Sequence, residues 1–556
     1  IESASLDFLY GEYELLTFYG RHAMERNMQR QRVEHGSYQI GSRRGTSSHQ
    51  YNPFMILAER KANEDYGDCY GMSFVYSGGF LAEVELDQFN HTRMQMGLMS
   101  EHFSYQLLDG ESLIAPEVMM SFSANGLSKL SHNFQKCIGE HICRGKYKNE
   151  IRPILVNSWE ASYFDISKDS IIGLSKDAAE LGVEMLVMDD GWFGKRDDDN
   201  SGLGDWVVNE SKLGCTLAEL VHEVNDQGIK FGIWIEPEMV NPKSELFEKH
   251  PDWVIMQPQR ETYYYRNQLV LDISNPKVQD YVFGIVDRIM TENPEVAYFK
   301  WDCNSVITNI YSPYHKHNQG NFYIDHIRGI YNVLTRIHNK YPKLPMMLCS
   351  GGGGRMDYEM LKYFTEFWCS DDTDPYERIY IQWSLSKFFP AKTMGSHVTN
   401  WNKNTSVKFR TDVCSSCKLG FDIDLKSLSK DDYKFVQQAV KNYDSMKSMI
   451  LEGDQYRLVS PYEGNHCAIN YVSKDKQRAV LFAYDLHPRY KEPLQNIKLQ
   501  GLDAKKMYTV KETNLMPGKY SELEYNGKQY SGDYLMKIGL NVFTAQDGTS
   551  HVLVFE

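Results

Sequence analysis

The chain has 556 residues, and 60 Lys and Arg against 74 Asp and Glu give a net charge of −14. That acidity repels a phosphate backbone and no basic patch offsets it, so nucleic acid is excluded as a partner. No run approaches the roughly 18 apolar residues of a membrane span, so no membrane partner is expected, and 42% hydrophobic with 24% charged residues describes a globular chain able to fill several cores.

In chain order, the first 35 residues hold one strand, Glu14 to Phe18, and a basic stretch from Arg26 to Arg32 that reads as a solvated face. From about residue 36 to 150 the pattern is short and alternating, as in Tyr70 to Tyr76 and Phe80 to Leu86 around Gly78-Gly79, which predicts antiparallel β-structure. The middle differs in kind. Apolar runs alternate there with helical segments at Ile172 to Leu181, Leu217 to Asn225, Lys277 to Met290 and Tyr323 to Lys340. The runs are Ile154 to Trp159, Met185 to Asp190, Phe231 to Glu236, Val296 to Asp302, Met346 to Ser350, Phe367 to Asp371, Ala391 to Gly395 and Cys417 to Phe421. Eight strands joined by helices suit a (β/α)8 TIM barrel; a doubly wound sheet lacks its Gly-rich phosphate fingerprint after the first strand. From about 470 alternation returns in Ala479 to Tyr484 and His551 to Phe555, with turns at Asn526-Gly527 and Asp547-Gly548, the pattern of a small antiparallel β-sandwich. The expected domains are 1–150, all-β; 151–465, the barrel; and 466–556, the sandwich.

Catalytic groups of a barrel sit at the carboxyl ends of its strands, and Trp159, Asp189-Asp190, Glu236, Asp302, Cys349 and Asp371 occupy such ends. Lys300 lies two residues before Asp302 and points the same way, so its ammonium favours an ionised carboxylate fit to act as a nucleophile. Asp371 stands among Asp372 and Asp374, where like charges can hold a proton on a carboxyl. Two carboxyls with such opposed tendencies are what glycoside hydrolysis requires. Metal binding is the competing use of strand-end acids. The segment Asp197 to Gly202 begins like a calcium loop, but its twelfth position is Val208 where a bidentate Glu is needed, so no metal or other cofactor is expected. Cys414 and Cys417 form a lone CxxC with no second pair. The run Ser350 to Arg355 lacks the Lys-Ser/Thr ending of a P-loop, and its glycines read as close backbone approach to a ligand.

The strings Asp189-Asp-Gly-Trp-Phe-Gly-Lys-Arg196, Trp234-Ile-Glu-Pro-Glu-Met-Val-Asn-Pro242, Arg266-Asn-Gln-Leu-Val-Leu-Asp272, Lys300-Trp-Asp302, Cys349-Ser-Gly-Gly-Gly-Gly-Arg355 and Ser370-Asp-Asp-Thr-Asp374 resemble the signatures of glycoside hydrolase family 36, the α-galactosidases of bacteria and plants. The likeness extends upstream through Ser42 to Gln50 and downstream through Met394 to His397. It implies an N-terminal β-supersandwich, a catalytic barrel and a C-terminal β-sandwich. It also implies Asp302 as nucleophile and Asp371 as acid/base of a retaining exo-α-galactosidase. By the same carry-over Asp189 and Asp190 accept from the sugar's 4- and 6-hydroxyls, Lys300 and Arg266 donate to ring hydroxyls, Trp159 and Trp234 wall the subsite, and Cys349 and Gly352 face C2. The implied partner is a carbohydrate with a terminal α-galactosyl group. Family members have a longer N-terminal sandwich, which this chain enters partway, and many form homo-oligomers that share a loop between active sites. The alternatives are an α-N-acetylgalactosaminidase, a galactosyl transferase using the same site, or a non-catalytic sugar-binding protein. The sequence starts at Ile1 with neither Met nor a leader, leaving cytoplasmic and periplasmic or secreted locations open.

Overall fold

The computed structural model describes every residue but 102. Its centre is a closed barrel of eight parallel strands, Leu155–Asn157, Met185–Met188, Lys230–Ile235, Tyr298–Trp301, Met346–Leu348, Glu366–Trp368, Met394–Val398 and Lys418–Phe421, the last pairing with the first. These are the eight expected runs, in order, with one shift. Ala391–Thr393 forms a 3-10 turn and the seventh strand starts at Met394. All side chains of Met185–Met188 and Tyr298–Trp301 are buried, as strands packed on both faces must be. The outer helices end where their capping chemistry says they should. Lys168–Leu181 starts from a Ser167 capping box and stops at Gly182 in the left-handed region, φ 86°. Leu217–Asn225 starts from a Thr216–Glu219 capping box.

Ahead of the barrel, nine antiparallel strands form two sheets, of four and five strands. The four-stranded sheet runs Glu2–Phe8, Thr92–Leu98, Phe80–Leu86, Gly36–Gly41. The five-stranded sheet runs Met24–Arg32, Tyr13–Arg21, Phe54–Glu59, Cys69–Val75, Glu117–Ser123. The expected β region thus ends at Ser123, and a helix, Gly126–Cys137, follows it. After the barrel comes an antiparallel six-stranded sheet whose first strand, Asp454–Val459, lies ahead of residue 466 and is entered from the long helix Lys430–Glu452.

Two expectations for the N-terminus are corrected. The first 35 residues hold three strands, Glu2–Phe8, Tyr13–Arg21 and Met24–Arg32, rather than one. The basic stretch is not simply a solvated face, because Arg26 is fully buried and Glu25 nearly so. The cause is a β-bulge. Tyr19 pairs with Asn27 and Arg21 with Met24, so two steps on one strand answer three on the other, and Arg26 sits at φ 61°. A bulge breaks the in-out alternation and turns neighbouring side chains to one side. Here that side is the barrel, against the helix Pro375–Leu385.

Candidate active site

Asp302 directly follows the fourth barrel strand, and its own N–H still donates to Ile235 O at 2.7 Å, which fixes its backbone in the ladder. Its buried carboxylate receives three N–H donors: Trp234 Nε1 on Oδ2 at 3.2 Å, and the backbone nitrogens of Cys303 at 2.8 Å and Gly351 at 3.2 Å on Oδ1. Gly351 presents that N–H from φ 53°, a conformation glycine adopts without the Cβ penalty. The Trp234 indole is itself packed among Phe193 and Trp206, at ring separations of 6.2 and 6.1 Å. Buried to this degree, it works as a clamp on Asp302 more than as an open wall. Behind Asp302 lies Glu236, at the end of the third strand, accepting from Asn304 N at 2.6 Å and Gln268 Nε2 at 3.1 Å. Burial, with the Asp302 charge beside it, pushes the Glu236 carboxyl well above the usual carboxylate range.

Asp371 follows the sixth strand. Trp368 Nε1 donates to its Oδ1 at 3.0 Å, and its Oδ2 lies 2.7 Å from His22 Nε2. Burial alone would raise this carboxyl, but the hydrogen bond and charge of His22, followed by Arg266 and Lys300, bring it down to about 2. The His22 imidazole moves the other way, upward, chiefly through that same bond. The crowd of acids expected to load Asp371 with a proton does not do so. Asp372 turns back into its own loop, accepting Asp374 N at 2.9 Å, and Asp374 caps the next helix.

Around these two carboxylates stand the remaining expected residues. Lys300 Nζ donates to Asp189 Oδ2 at 2.7 Å, and both are buried. Asp190 is held on both oxygens by Arg196, at 2.7 to 3.2 Å, a fork that fixes its plane. Arg266 extends from a loop at φ 55° and donates to Asn304 Oδ1 at 2.7 Å. Trp159 opens a short helix after the first strand, half-buried, its ring edge-on to Tyr163 and Phe164. Cys349 is buried at the end of the fifth strand with Tyr298, Met347 and Trp368. Gly352 lies against the Asp371 backbone. A Cβ there would stand 2.6 Å from Asp371 N and 2.7 Å from Glu25 Oε1, so its lack of a side chain makes room for the Asp371 backbone. The acids of the calcium-like segment pair with cations, Asp197 with Lys212 at 2.9 Å and Asp199 with Arg196 at 3.5 Å.

Sequence reasoning missed the contribution of the N-terminal sheets. The turn His22-Ala23 delivers His22 to Asp371. Glu25 accepts from Gly353 N at 3.3 Å and from Ser370 Oγ, while Arg26 donates to Gly353 O. From the Ser42 to Gln50 string, Ser48 N donates to Gly354 O at 2.7 Å and His49 Nε2 to Gly351 O at 2.6 Å. That string was visible as a motif, and its task is to seat the glycine loop. Asp422, after the eighth strand, was missed too. It accepts from Asn157 Nδ2 at 2.9 Å and Glu160 N at 2.7 Å, and burial pushes it up to about 8.

Residues 1–108 match the glycosyl hydrolase family 36 N-terminal domain, 112–453 melibiase, and 466–555 the family 36 C-terminal domain. The bifunctional alpha-galactosidase/sucrose kinase AgaSK of Mediterraneibacter gnavus is 44% identical over 543 residues, 97% of this chain and 56% of that protein, so the chain spans little more than half of that relative. Alpha-galactosidase AgaA of Geobacillus stearothermophilus is 39% identical over 94% of this chain and 72% of its own length. The solved galactosidase domain of AgaSK superposes with a TM-score of 0.93 at 43% identity, covering 99% of this chain and 75% of that one. Solved AgaA superposes with a TM-score of 0.94 at 37% identity, covering 99% and 76%, and variants of it are solved with stachyose and with raffinose.

Proposed function

Because this chain belongs to glycoside hydrolase family 36, we propose that it removes terminal α-linked galactose from oligosaccharides or glycans, with retention of configuration. In the first step the Asp302 carboxylate attacks C1 while Asp371 gives a proton to the departing glycosidic oxygen, leaving a covalent glycosyl-enzyme. In the second, Asp371 takes a proton from water, the hydroxide attacks C1, and Asp302 is released. Lys300, held on Asp189, and Arg266 are the cationic donors for ring hydroxyls, and Asp189 and Asp190 are the acceptors. The observation that carries the reading is the posture of Asp302. Three N–H donors orient it at the end of a barrel strand, and among the described residues no side-chain cation bonds to it. Raffinose and stachyose in the solved AgaA variants support an α-galactosyl substrate.

Asp302→Gly removes the nucleophile and leaves space for a small anion. Turnover is expected to vanish while the fold persists, and azide is expected to restore it with β-galactosyl azide as product. Rescue that yields only the α-product would remove Asp302 from the role.

A further inference from the structure

An acid/base residue must enter the first step carrying a proton, yet the bond and charge of His22 hold Asp371 down to about 2. A lone carboxyl in that condition is no acid at neutral pH. Its partner resolves the contradiction. His22 Nε2 lies 2.7 Å from Asp371 Oδ2, brought there from 349 positions away by the turn of a bulged hairpin. We propose that His22 is the proton reservoir of Asp371, a positioning residue that carries on Nε2 the proton Asp371 delivers to the leaving group. This rests on the reading of Asp371 as the acid.

The bond-by-bond account balances. In the free enzyme the pair holds one proton, written as imidazolium and carboxylate. Both side chains are partly open, 38% for His22 and 28% for Asp371, so water supports the charge-separated form. A bound sugar excludes that water, and desolvation favours the neutral form of each partner. The proton then moves from Nε2 to Oδ2, leaving neutral imidazole and carboxylic acid. Asp371 passes it to the glycosidic oxygen as the C1–O bond breaks and its electron pair stays on that oxygen. In the second step Asp371 takes a proton from water and returns it to His22.

The surroundings suit a reservoir. Arg266, from its loop, opposes protonation of His22, and Glu25, on the same hairpin, favours it. His49, its ring 5.9 Å away, is pushed down to about 4 by burial and so adds no charge at neutral pH. Arg21 donates to the His22 carbonyl at 3.1 Å and leaves the ring free to titrate. Lys300 faces Asp371 from the fourth strand and works with Arg266 to keep the carboxylate ionised until the site fills.

The test is His22→Gln, whose amide nitrogen can reach Asp371 and hold its orientation but cannot store a proton. Galactose binding, measured by its inhibition constant, and the melting profile should stay close to wild type. The basic limb of kcat/KM should move to lower pH, because proton retention no longer depends on an imidazole. At neutral pH a galactoside with a sugar leaving group should lose on the order of 10- to 100-fold, and one with an acidic phenol should lose far less in its first step. An unmoved basic limb, equal losses on both substrates, or a rise in KM alone would overturn the reservoir. The parallel variant Asp371→Ala keeps the two readings apart: if it shows leaving-group dependence and His22→Gln does not, the acid stands and the reservoir falls.

Discussion

At the scale of single residues, the adjacent carboxyls Asp371 and Asp372 illustrate how one peptide step separates two fates. Asp371 meets His22 and Trp368 across the mouth; Asp372, buried, spends its Oδ1 on Asp374 N. On the proposed mechanism it is the first that gives its proton to the glycosidic oxygen. Asp371→Ala is therefore expected to slow natural galactosides by on the order of 10² to 10⁴ and to spare the first step of substrates whose leaving group needs no protonation. Steady-state rates on a series of aryl galactosides of graded phenol acidity check this. Asp372→Ala should lower activity evenly across that series, and a slope appearing for Asp372 instead would transfer the role. Residue identity alone could not make this distinction, because both positions lie in one acidic string and the pairing that separates them comes from the other end of the chain.

Among elements, the barrel was legible and the hairpin that completes its site was not. Strands buried on both faces write themselves as short apolar runs, and the acids after Met188, Ile235, Trp301 and Trp368 mark where each run meets the mouth. Both signals are local. His22, Glu25 and Arg26 instead owe their positions to a bulge, one extra residue that no periodicity announces, inside a stretch whose cations resemble an ordinary exposed strand. Glycine 352 was legible as a need for space but not as to what fills that space. Its missing Cβ admits Asp371 N, Ser370 Cα and Glu25, with φ at 76°. Gly352→Ala must therefore strain its own backbone and push the Asp371 loop. A displacement near 1 Å costs roughly 10²-fold in rate. The expected outcome is a loss of that order in kcat with galactose inhibition far less altered, read from initial rates beside an inhibition curve. Unchanged kcat would show that the loop can yield.

Across the whole molecule, the N-terminal sheets, barrel and C-terminal sheet meet at one half-buried carboxylate. Glu64 accepts from Arg457 Nη2, on the first strand of the C-terminal sheet, at 2.7 Å and from Lys387 Nζ, which follows a barrel helix, at 2.8 Å. Both cations are about 1% exposed, so neither has water to fall back on. Arg457 also donates to Ser131 Oγ and Ser386 O, drawing the helix Gly126–Cys137 into the same knot. Burial alone would raise the Glu64 carboxyl, but Arg457 and then Lys387 outweigh it and lower it below the usual carboxylate range. Glu64→Gln keeps the shape and strands two buried cations, which costs about 3 kcal/mol or more. The sign with pH follows from the lowered folded-state pKa. The contribution is complete above the unfolded value of about 4.3 and is lost as pH falls toward the folded one. Melting wild type and Glu64→Gln side by side should show the full gap at pH 7 and a narrowing gap below about pH 4. A gap independent of pH would mean that the loss is one of packing, and that the three parts are held together by their apolar contacts without help from this charge.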